Sequence, residues 1–464
     1  MLAKPDACKG CNFYQDGWGF VPDERNPNAK VRITAQNPGQ SEVAGSVFIR
    51  WHGHGENTGE IWEHGQKPAP LLGKSGHELN TKFLPLAGLK REDVECTNVL
   101  RCRWRNSNEL PPLTYTNVQE AIKHCQRNHW REPEPGQTLV VLGGYALWAL
   151  TGEYEGDEDD ADHADDDLRA SRSIDGWRGW LLDYKPVWTE RYTPHSVFAT
   201  FHPAYFYRSH WLRPIGKMDF AKLGRILRGT WPESFPPMLQ GGPWLATSEF
   251  AFDTEYNPWT KELHRWSVAW RGDDTEPIVY VCEPNDKVIA EANAYNNNRV
   301  IIMQNAEADW PYITSIFGRL PETWHDTMLA HSLLYGTLRH SLDFMGSLYA
   351  RHNRWKHLQQ SDPLVYSGMD ALATYDIWQQ LQRELARDKA SADLYEYELK
   401  PLLPHVMARP HVRLNAMHIA NAAQELAKEQ EEIARRGQAA AGWPLNVSSA
   451  DQVSRWLRLK SDPQ

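Results

Sequence analysis

Short apolar runs and the turns that follow them set the frame of this chain. Val31-Arg32-Ile33-Thr34 and Leu139-Val140-Val141-Leu142 read as strands, as do the stretch into Phe252-Asp253-Thr254-Glu255 and Val300-Ile301-Ile302-Met303. The first leads into Ala35-Gln36-Asn37-Pro38-Gly39, the second into Gly143-Gly144-Tyr145-Ala146, and the last into Asn305-Ala306-Glu307-Ala308-Asp309. A strand that feeds a tight turn is where α/β sheets place active-site loops. Helical patterning follows Pro70-Leu71-Leu72-Gly73-Lys74-Ser75-Gly76, surrounds Tyr366 and Asp370, and returns in the Ala/Glu-rich amphipathic segment at 416–436. Residues 229–244, rich in Pro and Gly, read as a linker with a domain boundary near 236. The pattern is therefore α/β in two successive units, with helices after them.

Asp253 and Glu255 are two apart on a strand and share a face, whereas Thr254 points back. Like charges held that close call for a cation between them. Asp309 follows in order, and Tyr366 and Asp370, four apart, share one helix face. At these residues, and at Asp326-Thr327-Met328-Leu329-Ala330 and His340-Ser341-Leu342-Asp343, the chain resembles the DEDDy 3′-5′ proofreading exonuclease domain of family A DNA polymerases from about 250 to 392. The resemblance implies a ribonuclease H-like (DnaQ-like) fold in which Asp253, Glu255, Asp309 and Asp370 hold two Mg²⁺ or Mn²⁺ ions. Tyr366 would orient the attacking water, and the product would be a nucleoside monophosphate released from a 3′ end.

Cys8-Lys9-Gly10-Cys11 opens the chain, and Cys102 and Cys125 stand further on. By spacing alone four thiolates suit a structural Zn²⁺ site or an iron-sulfur cluster. With the 35–39 turn, Thr97-Asn98, Gly143-Gly144 and Phe201-His202-Pro203-Ala204-Tyr205, they resemble the uracil-DNA glycosylase superfamily, nearest its iron-sulfur family 4, across roughly 5–228. The resemblance implies a 4Fe-4S cluster on Cys8, Cys11, Cys102 and Cys125, with Cys96 and Cys282 outside it. It implies that Asn98 reads uracil, that His202 donates to uracil O2, and that Tyr205 to Arg208 wedge the duplex. Gln36 stands where the family carries a glutamate, and Leu71 where it carries a stacking phenylalanine. Asn37 matches a water-positioning asparagine of other branches. A neutral amide is no general base, so weak uracil excision is expected, or else a module that binds uracil or DNA without cutting. Gly73-Lys74-Ser75 is not a P-loop, because Pro68 stands where that motif needs its first glycine.

The net charge of −10 looks unsuited to a nucleic-acid enzyme until its source is found. Residues 153–167 hold ten acids and no Lys or Arg; without them 50 acids face 50 bases, and basic patches for a phosphate backbone become available. No apolar run is long enough for a membrane span and the start lacks a signal-peptide core, so a soluble, cytoplasmic protein is expected, with no membrane partner. The division expected is 1–235, a glycosylase-like α/β/α domain with a central parallel sheet and the acidic insertion; 236–392, the exonuclease; and 393–464, a partial helical thumb. The last part rests on Tyr397 to Leu402, Val412 to Asn415 and Leu445 to Gln452, which resemble the start of a family A polymerase thumb. No palm or fingers motif follows, so polymerisation by this chain alone is not expected. The partners expected are DNA, as single-stranded 3′ ends or with uracil, and the rest of a polymerase or other replication proteins.

Overall fold

The computed structural model describes residues 2–52, 59–104, 116–153, 174–241, 247–272, 276–286, 299–318, 321–407, 416–449, 452–453 and 456–457. The acidic run beyond Glu153 and the 412–415 motif lie outside the described residues.

The amino-terminal half contains β1 (Gly17–Trp18), β2 (Val31–Ala35), β3 (Val47–His52), β4 (Gly59–Glu63), β5 (Val94–Asn98), β6 (Arg103–Trp104), β7 (Thr138–Leu142), β8 (Leu181–Asp183) and β9 (Ser196–Thr200). Five of these form a sheet in the order β5-β2-β7-β9-β8, parallel except for β8 at its edge. All five residues of β2 are buried, as an interior strand covered on both faces requires. That burial explains the presence of a paired charge in it: Arg32, 3% exposed, donates to Glu95 of β5 across 2.8 Å. The helices here are α1 (Gln40–Ala44), α2 (Lys74–Glu78), α3 (Thr116–His129), α4 (Gly144–Thr151), α5 (Tyr205–Arg208) and α6 (Arg213–Leu227). Gly143 precedes α4 at φ 91°, a conformation that favours glycine.

The second sheet comprises β10 (Met238–Gln240), β11 (Glu249–Tyr256), β12 (Leu263–Arg271), β13 (Pro277–Cys282), β14 (Val300–Met303) and β15 (Thr323–Asp326), in the order β10-β13-β12-β11-β14-β15. Around it lie α7 (Ala306–Phe317), α8 (Thr327–Leu334), α9 (Leu342–Tyr349) and α10 (Pro363–Leu385). Helix α10 crosses the sheet closely: a Cβ on Gly368 would stand 2.3 Å from the Met238 sulfur, and Ser267 donates to the Ser367 carbonyl at 2.8 Å. Helices α11 (Lys389–Leu394), α12 (Lys400–Met407) and α13 (Ala416–Ala441) follow.

The Pro/Gly-rich stretch between the sheets is docked. Trp231 is 4% exposed and donates its indole N–H to the Ala350 carbonyl at 3.0 Å, Glu233 pairs with Arg271 at 2.9 Å, and β10 joins the second sheet alongside β13. Among the described residues no helix is long and apolar enough to cross a membrane.

Candidate functional site

Strand β11 carries Asp253 and Glu255 on one face and α10 brings Asp370 to them, so that these three carboxylates offer oxygens within 4.8 Å of one another. Asp309, in the first turn of α7, lies beside this group rather than in it. Its carboxylate accepts from the Thr254 backbone N–H at 3.0 Å and the Thr254 hydroxyl at 2.5 Å, so the residue between the two β11 acids ties down the third element. Helix α7 starts from Asn305 in the left-handed region (φ 58°), and its first N–H groups are met from a distance. The Asp326 carboxylate accepts from Asn305 (3.3 Å) and Ala306 (2.8 Å), and also from Met328 (2.8 Å) and Leu329 (3.2 Å) at the start of α8. One buried acid thus caps two helices.

Burial and crowding set the charges. Burial, then Asp370, Asp309 and Glu255, push Asp253 well above the usual carboxylate range. Burial, then Asp370, pushes Glu255 up to about 7, while burial takes Asp309 up to about 8 against the Thr254 bonds. Oδ2 of Asp253 is buried without a partner, an unmet acceptor that a cation would satisfy. In the metal-free chain the folded state therefore holds more protons than the unfolded one between about pH 4, the ordinary carboxylate range, and about 8, where Asp309 ionises. The expected result is a melting temperature in EDTA that falls as pH rises from 5 to 8, and falls much less with Mg²⁺ present. Parallel melts that fall equally in both buffers would count against a metal site here.

Two neighbours of this site carried no signal in the sequence. Lys356 donates to Asp370 Oδ2 at 2.7 Å and to the Tyr366 hydroxyl at 3.3 Å, while Trp355 donates its indole N–H to Asp370 Oδ1 at 2.5 Å. Burial opposes the Lys356 charge, but Asp370 and Tyr366 outweigh it and hold it above the ordinary lysine range. Burial, then Asp370, pushes Tyr366 up to about 12, so it is a neutral hydroxyl at pH 7. Both neighbours sit in the turn before α10, where no periodicity marks them.

In the first sheet, β2 and β5 end side by side, with Ala35 paired to Asn98, and so bring the 35–39 turn and Asn98 together. Asn98 is 1% exposed and its side-chain Nδ2 is buried without a partner, which leaves a donor aimed at nothing in the protein. Gln36 and Asn37 are half-buried, and Asn37 Nδ2 makes only a long contact, 3.4 Å, to the Pro38 carbonyl. His202 Nδ1 accepts the Ala204 N–H at 3.1 Å. Burial, then Arg208, takes its pKa down to about 4, so at pH 7 the ring is neutral and its proton sits on Nε2, free to donate. Residues 205–208 are not an open loop but the short helix α5. Tyr205 stacks on Phe201 with centroids 5.1 Å apart, Phe206 is buried, and the exposed pair is Tyr207 and Arg208. Leu71 is 2% exposed at φ 58°, packed in the core rather than turned outward as a stacking face. Glu42, which the sequence reading passed over, is buried, accepts the Gly39 N–H at 3.1 Å, and is pushed up to about 7 by burial. Its place three residues after Gly39 is the spacing of a helix-start capping pair, a signal that was there to be read.

Cys8, Cys11, Cys102 and Cys125 line one cavity with Lys4 and His129. Cys8 Sγ lies 3.2 Å from His129 Nε2, and Cys11 Sγ accepts the Phe13 N–H at 3.4 Å. A Cβ on Gly17 would stand 2.5 Å from Cys102 Sγ. Burial pushes Cys102 up to about 11 and Cys125 up to about 12, so a metal must displace their protons. Among the described residues only Asp253, Glu255 and Asp370 bring three candidate ligand atoms within 4.8 Å of one another; no three of the four cysteine sulfurs come that close.

Residues 22–222 match the uracil DNA glycosylase superfamily and residues 244–386 match a 3′-5′ exonuclease family. The type-4 uracil-DNA glycosylase of Archaeoglobus fulgidus is 24% identical over 231 residues, 49% of this chain and 92% of that protein. Among solved structures, Brucella melitensis NrnC with bound Mg²⁺ is 19% identical at TM-score 0.29, covering 39% of this chain and 98% of that one. The POL domain of Pol1 from M. smegmatis, in complex with DNA primer-template and dNTP, is 16% identical at TM-score 0.33, covering 45% of this chain and 36% of that one.

Proposed function

We propose that this chain, a uracil-DNA glycosylase superfamily domain followed by a 3′-5′ exonuclease domain, trims DNA 3′ ends as the proofreading module of a family A DNA polymerase and examines the same DNA for uracil. The observation that carries the nuclease half is the close group of half-buried Asp253 and Glu255 with buried Asp370, and its unmet Asp253 oxygen. With Asp309 these residues would hold two Mg²⁺ or Mn²⁺ ions, which supply a water acidic enough to attack phosphorus and charge to stabilise the departing 3′ oxygen. Tyr366, neutral and on the Asp370 face of α10, orients the attacking water through its hydroxyl. Lys356, bonded to both Asp370 and Tyr366, would offer its ammonium to the phosphate. Incubating the chain with a 5′-labelled single strand and Mg²⁺ tests this reading: a ladder shortening from the 3′ end is expected, and cleavage that EDTA leaves untouched would overturn it.

We place domain limits at 1–235, 236–392 and 393–464: β10 as the first strand of the second sheet supports the first, whereas the second falls within α11, and Tyr395 beyond it still packs against Asp326 of the second domain. The four cysteines suit a 4Fe-4S cluster better than zinc. A tetrahedral Zn²⁺ with bonds of about 2.3 Å needs sulfurs roughly 3.8 Å apart, whereas a cluster spreads its thiolates further. The cluster would tie residues 8–11 to α3 across a region poor in regular structure.

In the glycosylase half, Asn98 would meet the uracil edge with its orphaned amide and His202 Nε2–H would stabilise the uracil anion as the C1′–N1 bond breaks. Water held by Asn37 would add at C1′, and the proton it sheds would pass through solvent to the departed uracil anion. With Gln36 in place of an acid, excision should be slow, by roughly a hundredfold to a thousandfold for one lost electrostatic group. Asn37→Ala and His202→Ala are each expected to lower it further and Gln36→Glu to raise it, read as alkali-labile sites in a uracil oligonucleotide. A second reading, a domain that grips DNA without cutting, is favoured by Gln36 and by the buried Leu71. It prevails if the Asp253→Ala chain makes no abasic sites at enzyme excess and binds uracil and thymine DNA equally.

A further inference from the structure

The contact between the two sheets is chemically unlike a tethering surface. Arg178, Asp219 and Lys222 of the amino-terminal domain are all 0% exposed. The Arg178 guanidinium pairs with Asp219 at 3.2 Å and donates to Ser347 Oγ of α9 at 2.9 and 2.8 Å. Lys222 donates to the Ser347 carbonyl at 2.7 Å and lies 4.4 and 4.5 Å from the ring centroids of Trp180 and Trp231. Asn353 answers Leu181 at the edge of β8 with two bonds, accepting its N–H at 3.2 Å and donating to its carbonyl at 3.0 Å. Gly179, at φ 74°, is where the approach is tightest, since a Cβ there would stand 2.6 Å from the Ser347 carbonyl oxygen. Asp219 is also held within its own domain by the Thr200 hydroxyl at 2.7 Å, but the bonds of Arg178 and Lys222 to Ser347 cross between the domains, so separating the two would leave these buried donors unmet.

From this contact a short path reaches the carboxylate group. Trp180, 1% exposed, meets Trp355, 0% exposed, edge to face with centroids 6.0 Å apart. Gly346 lies against both rings, where a Cβ would stand 2.6 Å from the Trp355 indole and 3.7 Å from that of Trp180. Its N–H then reaches Asp370 Oδ1 at 2.5 Å, which turns Oδ2 toward Lys356 and the site.

We propose that the glycosylase-like domain forms the rear wall of the nuclease site: Trp180 fixes the Trp355 indole, and Trp355 fixes the Asp370 carboxylate in the orientation that receives metal. Both tryptophans are positioning residues, and the proposal rests on the nuclease reading above. A hydrogen bond to a charged group inside a protein is worth enough that its loss changes binding by about tenfold or more. The test uses the full chain. Trp355→Phe keeps the ring and removes the N–H, Trp180→Ala removes the support, and Trp180→Phe restores an aromatic wall. Mn²⁺ binding followed by electron paramagnetic resonance, without DNA, is expected to weaken about tenfold in Trp355→Phe and in Trp180→Ala and to recover in Trp180→Phe. The Mg²⁺ concentration giving half-maximal digestion should move in parallel, with the KM for oligonucleotide unchanged. A purely structural role would lower the melting temperature of the variants without moving the Mn²⁺ midpoint, and that result overturns the proposal. If Trp180→Ala fails to fold, Trp180→Leu, which keeps bulk without the ring, takes its place, and an unchanged Mn²⁺ midpoint there overturns the role of the amino-terminal domain. Wild-type chain that neither binds Mn²⁺ nor digests DNA would instead refute the nuclease reading.

Discussion

Asp253→Ala abolishes metal-dependent digestion of DNA 3′ ends, by roughly a thousandfold or more, yet leaves the metal-free protein at least as stable as wild type. The two halves of this expectation have one cause. Asp253 offers the group its unpartnered buried oxygen, so removing it takes away a metal ligand whose contribution to the transition state is about 4 kcal/mol for a thousandfold effect. In the absence of metal the same carboxylate is a liability, because burial and then Asp370, Asp309 and Glu255 all resist its ionisation. The alanine relieves that crowding. A 3′-digestion assay and a melt in EDTA read the two effects separately. Full-rate digestion in the variant would sink the assignment, and a large drop in the EDTA melting temperature would show that Asp253 acts in the fold instead.

Cys125→Ser removes the visible chromophore expected of an iron-sulfur protein and destabilises the amino-terminal half. Cys125 lies on α3 and lines the same cavity as Cys8 and Cys11, so the cluster would join the first turn of the chain to a helix more than a hundred residues later. Metal held by residues that the unfolded chain cannot bring together counts directly toward folding, and its loss costs on the order of several kcal/mol. Iron analysis, visible absorption and thermal melting after anaerobic purification of both proteins check this. Stoichiometric zinc without iron in the wild type would replace the cluster by a structural zinc site.

Strands buried on both faces were readable where nothing in them need be polar: β7 and β14 announce themselves as apolar runs, while β2, which carries Arg32 and Thr34, shows through its β-branched residues. The site residues were readable through period: Asp253 and Glu255 two apart on β11, Tyr366 and Asp370 four apart on α10. Long-range partners had no such signature. Nothing near Trp180 hints that it meets Trp355, and Thr254, correctly read as facing away from its neighbours, gave no hint that it would hold Asp309. The 229–244 stretch shows the limit of composition. Its prolines and glycines suggest slack, but Trp231 and Glu233 fasten it to the second domain through contacts that only the folded chain supplies.

The way α7 begins has a bearing on how the protein is made. Its first N–H groups find their acceptor in Asp326, twenty residues downstream, and the backbone N–H of Asp326 is in turn held by the Tyr395 hydroxyl at 2.8 Å. A nascent chain that has emerged as far as residue 370 therefore carries all four acids but not the tyrosine that steadies the cap of the helix bearing Asp309. During synthesis the four acids emerge before the tyrosine that steadies the Asp326 cap, and the nuclease centre is finished only once Tyr395 has followed.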